Sequence, residues 1–362
     1  MSNAGAVPAK VRELVDARVE LESRLQREAG ALGAAAAGGY DRAYARLQKS
    51  LVQLFGEASD TATRTTVMLE MIRILENKLV YIENFTVDAT TENRMFAALV
   101  DRFLDDLGAS GSTVLTRLEA TYYRAIAALY AGDIRTAREG FAAACESEES
   151  DEANDIKYKS YVILGNLAHE ARDYAEARAL HDASLQYSAN QNVTAQALAL
   201  KALNSYALKE LDEALELFQK AIAMFDREAP FFNAYFYRNS LLFAGAILYG
   251  RKDYESAAAH YERVLDAVEE SSYDYFDAVT QLGRMAYLTG RFDEAAQRFD
   301  SAIRSHRFSE NELLMDTYFW LAKTRIKQNR IDEAKACLER VAGSAIRYEN
   351  KPKAIEMLQK VS

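Results

Sequence analysis

Leu282-Gly283, then Gly290-Arg291-Phe292-Asp293-Glu294-Ala295, then Phe299 and Ala302 form the clearest copy of a phrase that recurs six times along this 362-residue chain. The copies align on Ala137, Ala177, Ala214, Ala257, Ala295 and Ala334, with spacings of 40, 37, 43, 38 and 39 residues. A fixed period of this size is the mark of a solenoid of repeated helix pairs, in which each pair buries its apolar face against the next. The expected fold is therefore all-α, a right-handed α-solenoid of about six helix pairs.

Other positions repeat in the same register. Twelve residues before each aligned alanine stands Ala125, Gly165, Ala202, Gly245, Gly283 or Ala322. Seven residues after it stands Ala144, Ser184, Ala221, Val264, Ala302 or Val341. Two antiparallel helices approach closely only where side chains are small, and larger residues such as Phe141, Phe218, Tyr261, Phe299 and Leu338 then fill the remaining space. The turns are read at Gly132-Asp133, Arg172-Asp173, Glu210-Leu211, Lys252-Asp253, Gly290-Arg291 and Asn329-Arg330. A large residue follows each turn, three before the alanine: Ile134, Tyr174, Leu211, Tyr254, Phe292 or Ile331.

This pattern resembles the tetratricopeptide (TPR) repeat family, in a long-period variety. The likeness covers roughly residues 113–345, and is most specific in Tyr161-x-x-Leu164-Gly165 with Asp173-Tyr174-x-x-Ala177, and in the copy quoted above. The proline that commonly ends the second helix in the family is absent from all six copies, which lets those helices run longer. Residues 342–361 supply a capping helix, with Asn350 at its start and Ala354, Ile355, Leu358 and Val361 on its apolar face.

Residues 1–112 carry no repeat. Apolar spacing predicts helices over 9–29, 40–57, 62–84 and 91–107, the last capped by Thr90 or Thr91 and ended by Gly108. Arg18 interrupts the apolar stripe of the first. Glycine-rich stretches at 29–39 and 108–112 read as connectors. The expected division is an N-terminal helical region, 1–112, and a repeat array, 113–362.

Composition bounds the function. A net charge of −10, distributed as −3 over residues 1–112 and −7 over the rest, speaks against a nucleic-acid surface. The longest strongly apolar stretch, Leu241 to Leu248, is too short for a membrane span. Cys145 and Cys337 lie in the first and last repeats, too distant in a solenoid to pair. Free thiols favour the cytoplasm. Met1-Ser2-Asn3-Ala4 has the form of a cloning remnant, and a leader removed ahead of it would instead imply a periplasmic or secreted protein.

No catalytic constellation, metal-ligand spacing or phosphate-binding glycine loop stands out, so the expectation is a protein without enzyme activity or cofactor. His169, His181, His260 and His306 read as surface or groove residues. The acidic run Glu146 to Asp155 reads as a solvated loop between the first two repeats. The resemblance implies that first helices line a concave face. Counting back from the alanines places Glu119, Tyr122 and Ile126 there, then Lys159 and Asn166, Gln196 and Asn204, Asn239 and Tyr249. The last two repeats add Asp277, Gln281 and Arg284, then Asp316, Phe319, Trp320 and Lys323. The residues chosen as the partner-binding groove are Tyr122, Asn166, Asn204, Asn239, Gln281, Arg284, Trp320 and Lys323. Amides can bond both N–H and C=O of an extended peptide, and aromatics and arginine anchor buried contacts.

The expected function is a protein- or peptide-binding scaffold or adaptor. The alternative is a regulatory sensor in which a groove-bound peptide controls the N-terminal helices, an arrangement similar in layout to bacterial peptide-pheromone receptors of the phosphatase-regulator type. Some relatives hold acidic chaperone C-termini with a Lys-and-Asn clamp. Tyr122, Ile126 and Val162 occupy three of those positions here and only Asn166 fits, so that reading is disfavoured.

Overall fold

The structure is a computed structural model, and it describes residues 6–28, 34–79, 91–109, 115–147, 153–229 and 231–361. Every regular element among them is helical, and the long ones number seventeen. The first four are α1 (Ala6–Glu28), α2 (Ala34–Glu57), α3 (Thr61–Asn77) and α4 (Thr91–Ala109). The six repeats follow as α5 (Arg117–Ala131) with α6 (Ile134–Glu146), α7 (Asn154–Glu170) with α8 (Tyr174–Ser184), α9 (Gln191–Ala207) with α10 (Leu211–Met224), α11 (Ala234–Gly250) with α12 (Tyr254–Leu265), α13 (Tyr273–Leu288) with α14 (Phe292–Ser305), and α15 (Glu312–Lys327) with α16 (Ile331–Gly343). The final helix is α17 (Lys351–Val361). The all-α helix-pair fold expected from the repeat is the one found.

The turn inside each pair is built one way. A residue in the left-handed region closes the first helix: Gly132, Arg172, Lys209, Lys252, Gly290 or Asn329. The next residue's N–H reaches five residues back, as Asp133 does to the Ala128 carbonyl and Arg291 to Ala286, which is the Schellman closure. That same residue is the N-cap of the second helix, and the large residue after it is the helix's first. Asp133, Asp173 and Asp253 cap by accepting from backbone N–H groups of Thr136, Glu176 and Ser256. In the third repeat the turn sits on Lys209-Glu210, one residue earlier than the expected Glu210-Leu211. No glycine marks that turn, and only the backbone conformation reveals its position.

All six aligned alanines are fully buried, as are the six residues seven positions on. The glycines have a specific task. A Cβ on Gly283 would lie 2.7 Å from the Phe299 ring, and one on Gly245 would lie 2.9 Å from Tyr261. The small residue of the first helix thus clears space for the ring of its own partner helix.

The chain divides into two compact units, Met1–Tyr237 and Arg238–Ser362. In the first, the N-terminal helices and the early repeats share one core, which includes Leu51, Met71, Phe103, Tyr122 and Phe141. Tyr130 donates to the carbonyl of Leu75 at 3.2 Å, fastening α5 to α3. The interruption at Arg18 is explained by Glu70 of α3, which is buried with it and accepts from its guanidinium. In the second unit, the core gathers Phe276, Met315, Phe319, Leu338 and Tyr348, and α17 contributes Ala354. Tyr348 bonds Asp316 at 2.7 Å, and Asn350 donates to Tyr348 instead of capping α17 through its side chain.

The connector expected at 29–39 is corrected over 34–39, which belong to α2; residues 29–33 lie outside the described residues, as do 110–112 of the second connector. The middle of the acidic run (148–152), Thr90 and the expected end of the third helix (80–84) also lie outside them.

Candidate partner-binding faces

The first helices carry the expected groove residues, and burial separates these sharply. Tyr122 has no exposed surface; its ring meets Phe141 and its hydroxyl donates to Glu76 of α3 at 3.3 Å. Ile126 is equally buried. Glu119 is half of a capping box with Thr116. Lys159 is held by Glu76 at 2.7 Å and Asp155 at 2.6 Å. The face expected at the first repeat is therefore filled by α3, and Tyr122 is corrected from groove residue to core residue. Gln196 is buried and carries the carbonyl of Phe231. Asn239 and Gln281 are half-buried on α11 and α13.

Asn204 is also corrected: it has no exposed surface, because it is the centre of a buried polar chain. Its amide nitrogen donates to the Leu200 carbonyl at 3.0 Å and to His181 Nδ1 at 2.8 Å. A carbonyl only accepts, so the amide orientation is settled, and its oxygen receives His169 Nδ1–H at 2.7 Å. His181, acceptor at Nδ1, then carries its proton on Nε2 and donates to Asn166 Oδ1 at 3.2 Å. Burial pushes the His181 pKa down to about 3, with the nearby His169 adding to the effect, so the ring is neutral. Asn166 keeps its place at the surface, where it, His169 and Glu170 edge a cleft of about 140 Å³ walled by Leu200, Leu203 and Phe236.

The expectation of surface or groove histidines is corrected for His181, which is 1% exposed. The signal that reveals it was present in the repeat. His181 stands four residues after its aligned alanine, where the other copies carry Phe141, Phe218, Tyr261, Phe299 and Leu338. Gly165 makes room for it, since a Cβ there would meet the imidazole at 2.4 Å. Asn204 likewise takes the position of Ala127, Leu167, Ile247, Met285 and Thr324. Two polar residues at positions elsewhere almost wholly apolar are each other's partners.

The second unit brings Arg284, Trp320 and Lys323 together. Arg284 lies over the rings of Tyr249 and Trp320, at 5.1 and 5.2 Å. It also donates to Tyr249 Oη and to Gln281, both at 3.1 Å, and sits 3.6 Å from Asp316. Lys323 Nζ is 3.6 Å from the centre of Trp320 and 4.9 Å from that of Tyr287. No carboxylate lies within ion-pair distance of it among the described residues. Burial and then Arg284 push the Lys323 pKa down. Burial raises that of Asp277, whose carboxylate accepts from Gln281. The arrangement is a stack of rings and two cations in which one cation has no ion-paired carboxylate among the described residues.

Among the described residues, no group of three His, Cys, Asp or Glu side chains is placed to hold a metal ion, and no helix is long and apolar enough to cross a membrane. Both cysteines are free; burial pushes Cys145 up to about 12 and Cys337 up to about 11.

Comparison with known proteins places the chain in a family. The family model described as the MalT-like TPR region matches residues 161–361. No curated protein matches the chain. Among solved structures, the apo form of RapI is similar at 13% identity and a TM-score of 0.57, over 76% of this chain and 75% of that one. The C-terminal part of a TPR repeat-containing protein from Cytophaga hutchinsonii is similar at 12% identity and a TM-score of 0.53, over 79% and 99%. YrrB, described as a TPR protein with an unusual peptide-binding site, matches at 18% identity and a TM-score of 0.47, over 61% and 99%.

Proposed function

The chain belongs to the family of MalT-like TPR regions, and from that premise we propose that it is a non-catalytic scaffold or adaptor whose first-helix faces hold a segment of another protein. The second unit receives an acidic or carboxylate-bearing stretch of that partner. One observation carries this reading: Lys323 is half-buried against aromatic rings, beside a second cation, and no carboxylate among the described residues lies within ion-pair distance of it. A carboxylate from a partner would relieve both the repulsion from Arg284 and the loss of hydration. Trp320 offers it an apolar neighbour.

The test needs a partner, obtained by pull-down and mass spectrometry from the source organism. Arg284 is tied to Asp316 and Tyr249 and so also supports the fold, which makes Lys323 the cleaner probe. Lys323→Gln should weaken the partner by about tenfold, the worth of one charge-assisted contact, with the melting temperature held. Arg284→Glu with Lys323→Glu should weaken it further. Unchanged affinity in both variants would remove the site from this face.

A second reading, a peptide sensor acting on the N-terminal helices, draws on the Glu76–Lys159–Tyr122 link between α3 and the first two repeats. Its mark would be a peptide that changes the compactness of the chain in small-angle scattering. A partner bound without any such change favours the scaffold.

A further inference from the structure

The cleft in the first unit shares no residue with the Lys323 cluster of the second, and its chemistry is opposite. Three of its polar groups end without a partner among the described residues. His169 gives its Nδ1 proton to Asn204, so Nε2 offers a lone pair with no bonded donor. Asn166 spends its oxygen on His181 and keeps its amide hydrogens. The Glu170 carboxylate is exposed and makes no ion pair or hydrogen bond.

Behind these groups the walls are apolar. Leu200 and Phe236 are buried, Leu203 is half-buried, and Tyr235, which also lines the cleft, has 41% of its surface exposed. The cleft's volume, about 140 Å³, is that of one side chain.

A cleft whose lining combines apolar walls with a carboxylate, an imidazole lone pair and an aromatic ring is complementary to a long side chain with a cationic tip. We propose that this cleft is a subsite for one basic side chain, arginine or lysine, of the bound partner. Its methylene stem lies along Leu200, Leu203 and Phe236. Its charged head meets Glu170 and His169 Nε2 and rests on the Tyr235 ring. The Asn166 amide remains available to the partner's backbone carbonyl. The buried His181–Asn204 pair orients the site: it holds His169 in the tautomer whose free nitrogen accepts. A purely apolar occupant would leave Glu170 and the His169 lone pair unanswered. The net charge of −10 adds a general attraction for a basic segment.

This inference rests on the reading of the first helices as partner-binding faces, yet its test needs no partner. The full chain, labelled with ¹⁵N-histidine, is titrated with N-acetyl-arginine amide, and with the norleucine and glutamate amides as controls. The expected result is a saturable shift of the His169 Nε2 resonance with the arginine amide, at least about tenfold weaker with norleucine and absent with glutamate. Glu170→Gln should weaken the arginine amide by about tenfold. Its melting temperature should hold, since this residue is exposed. Equal binding of norleucine would make the cleft an apolar pocket and overturn the proposal. Preference for glutamate, or no saturable shift with any amide, would overturn it as well. Loss of the Lys323 effect on a protein partner, with the arginine response intact, would sink the acidic-segment reading and leave this subsite standing.

Discussion

Four of the six turns hold a left-handed backbone with a residue that bears a Cβ: Arg172, Lys209, Lys252 and Asn329. Glycine is the residue such a position favours, and it stands there only as Gly132 and Gly290. Lys252→Gly should therefore raise stability by about 0.5–1 kcal/mol, and Lys209→Gly similarly, read as a shift in urea midpoint at unchanged slope. The opposite expectation holds at Gly283, whose missing Cβ admits Phe299. Gly283→Ala should cost about 1–3 kcal/mol, and Ala295→Leu, at a fully buried contact, about as much. A melt of either variant matching the wild type would contradict this helix register. His181 adds a pH dependence. Its folded pKa, about 3, lies below the ordinary value near 6.5 because burial opposes the charged ring. The unfolded chain therefore takes up the proton first, and stability falls as pH drops from about 6.5 towards 3. His181→Gln cannot titrate, so it should lose about 2 kcal/mol less than wild type between pH 7 and pH 5, by denaturant titration at each pH.

At the scale of elements, the N-terminal helices are joined to one another through a buried ion pair. Arg18 of α1 and Glu70 of α3 are both nearly without exposed surface, and Glu70 also accepts from Arg73 at 2.6 Å. Such a pair adds little over an apolar one of the same shape, but removing one partner strands a buried charge. Arg18→Met alone should cost about 3 kcal/mol, while Arg18→Met with Glu70→Met should recover most of that loss. Equal destabilisation in the single and double variants would show that Arg18 acts through its packing. The second helices depend less on any one cap. Asp caps three of them, whereas Glu210, Arg291 and Arg330 make no side-chain cap bond.

At the scale of the molecule, the N-terminal helices act as part of the first unit's core. Tyr122, Tyr130 and Lys159 of the repeats all find hydrogen-bond partners on α3. A fragment beginning at residue 113 would expose Tyr122 and Tyr130 and leave Lys159 without Glu76. It should melt well below the full chain, with its loss concentrated in the early repeats by hydrogen exchange. A fragment as stable as the whole would restore the separate N-terminal region expected over 1–112.

The repeat register was legible in the sequence because its cause is local and recurs. Every copy must place a small residue where its two helices meet, so Ala137, Ala177, Ala214, Ala257, Ala295 and Ala334 mark the fold six times over. Arg284 and Lys323 each stand eleven residues before an aligned alanine, and equivalent positions of neighbouring repeats become neighbours in space. Tyr122 and Asn204 were misplaced because repeat position says which way a side chain points and nothing of what covers it. Tyr122 is buried by α3, a helix outside the repeat, and Asn204 by partners from two other helices, His169 and His181. Burial and hydrogen bonding join residues distant in the chain, and only the tertiary structure sets those distances.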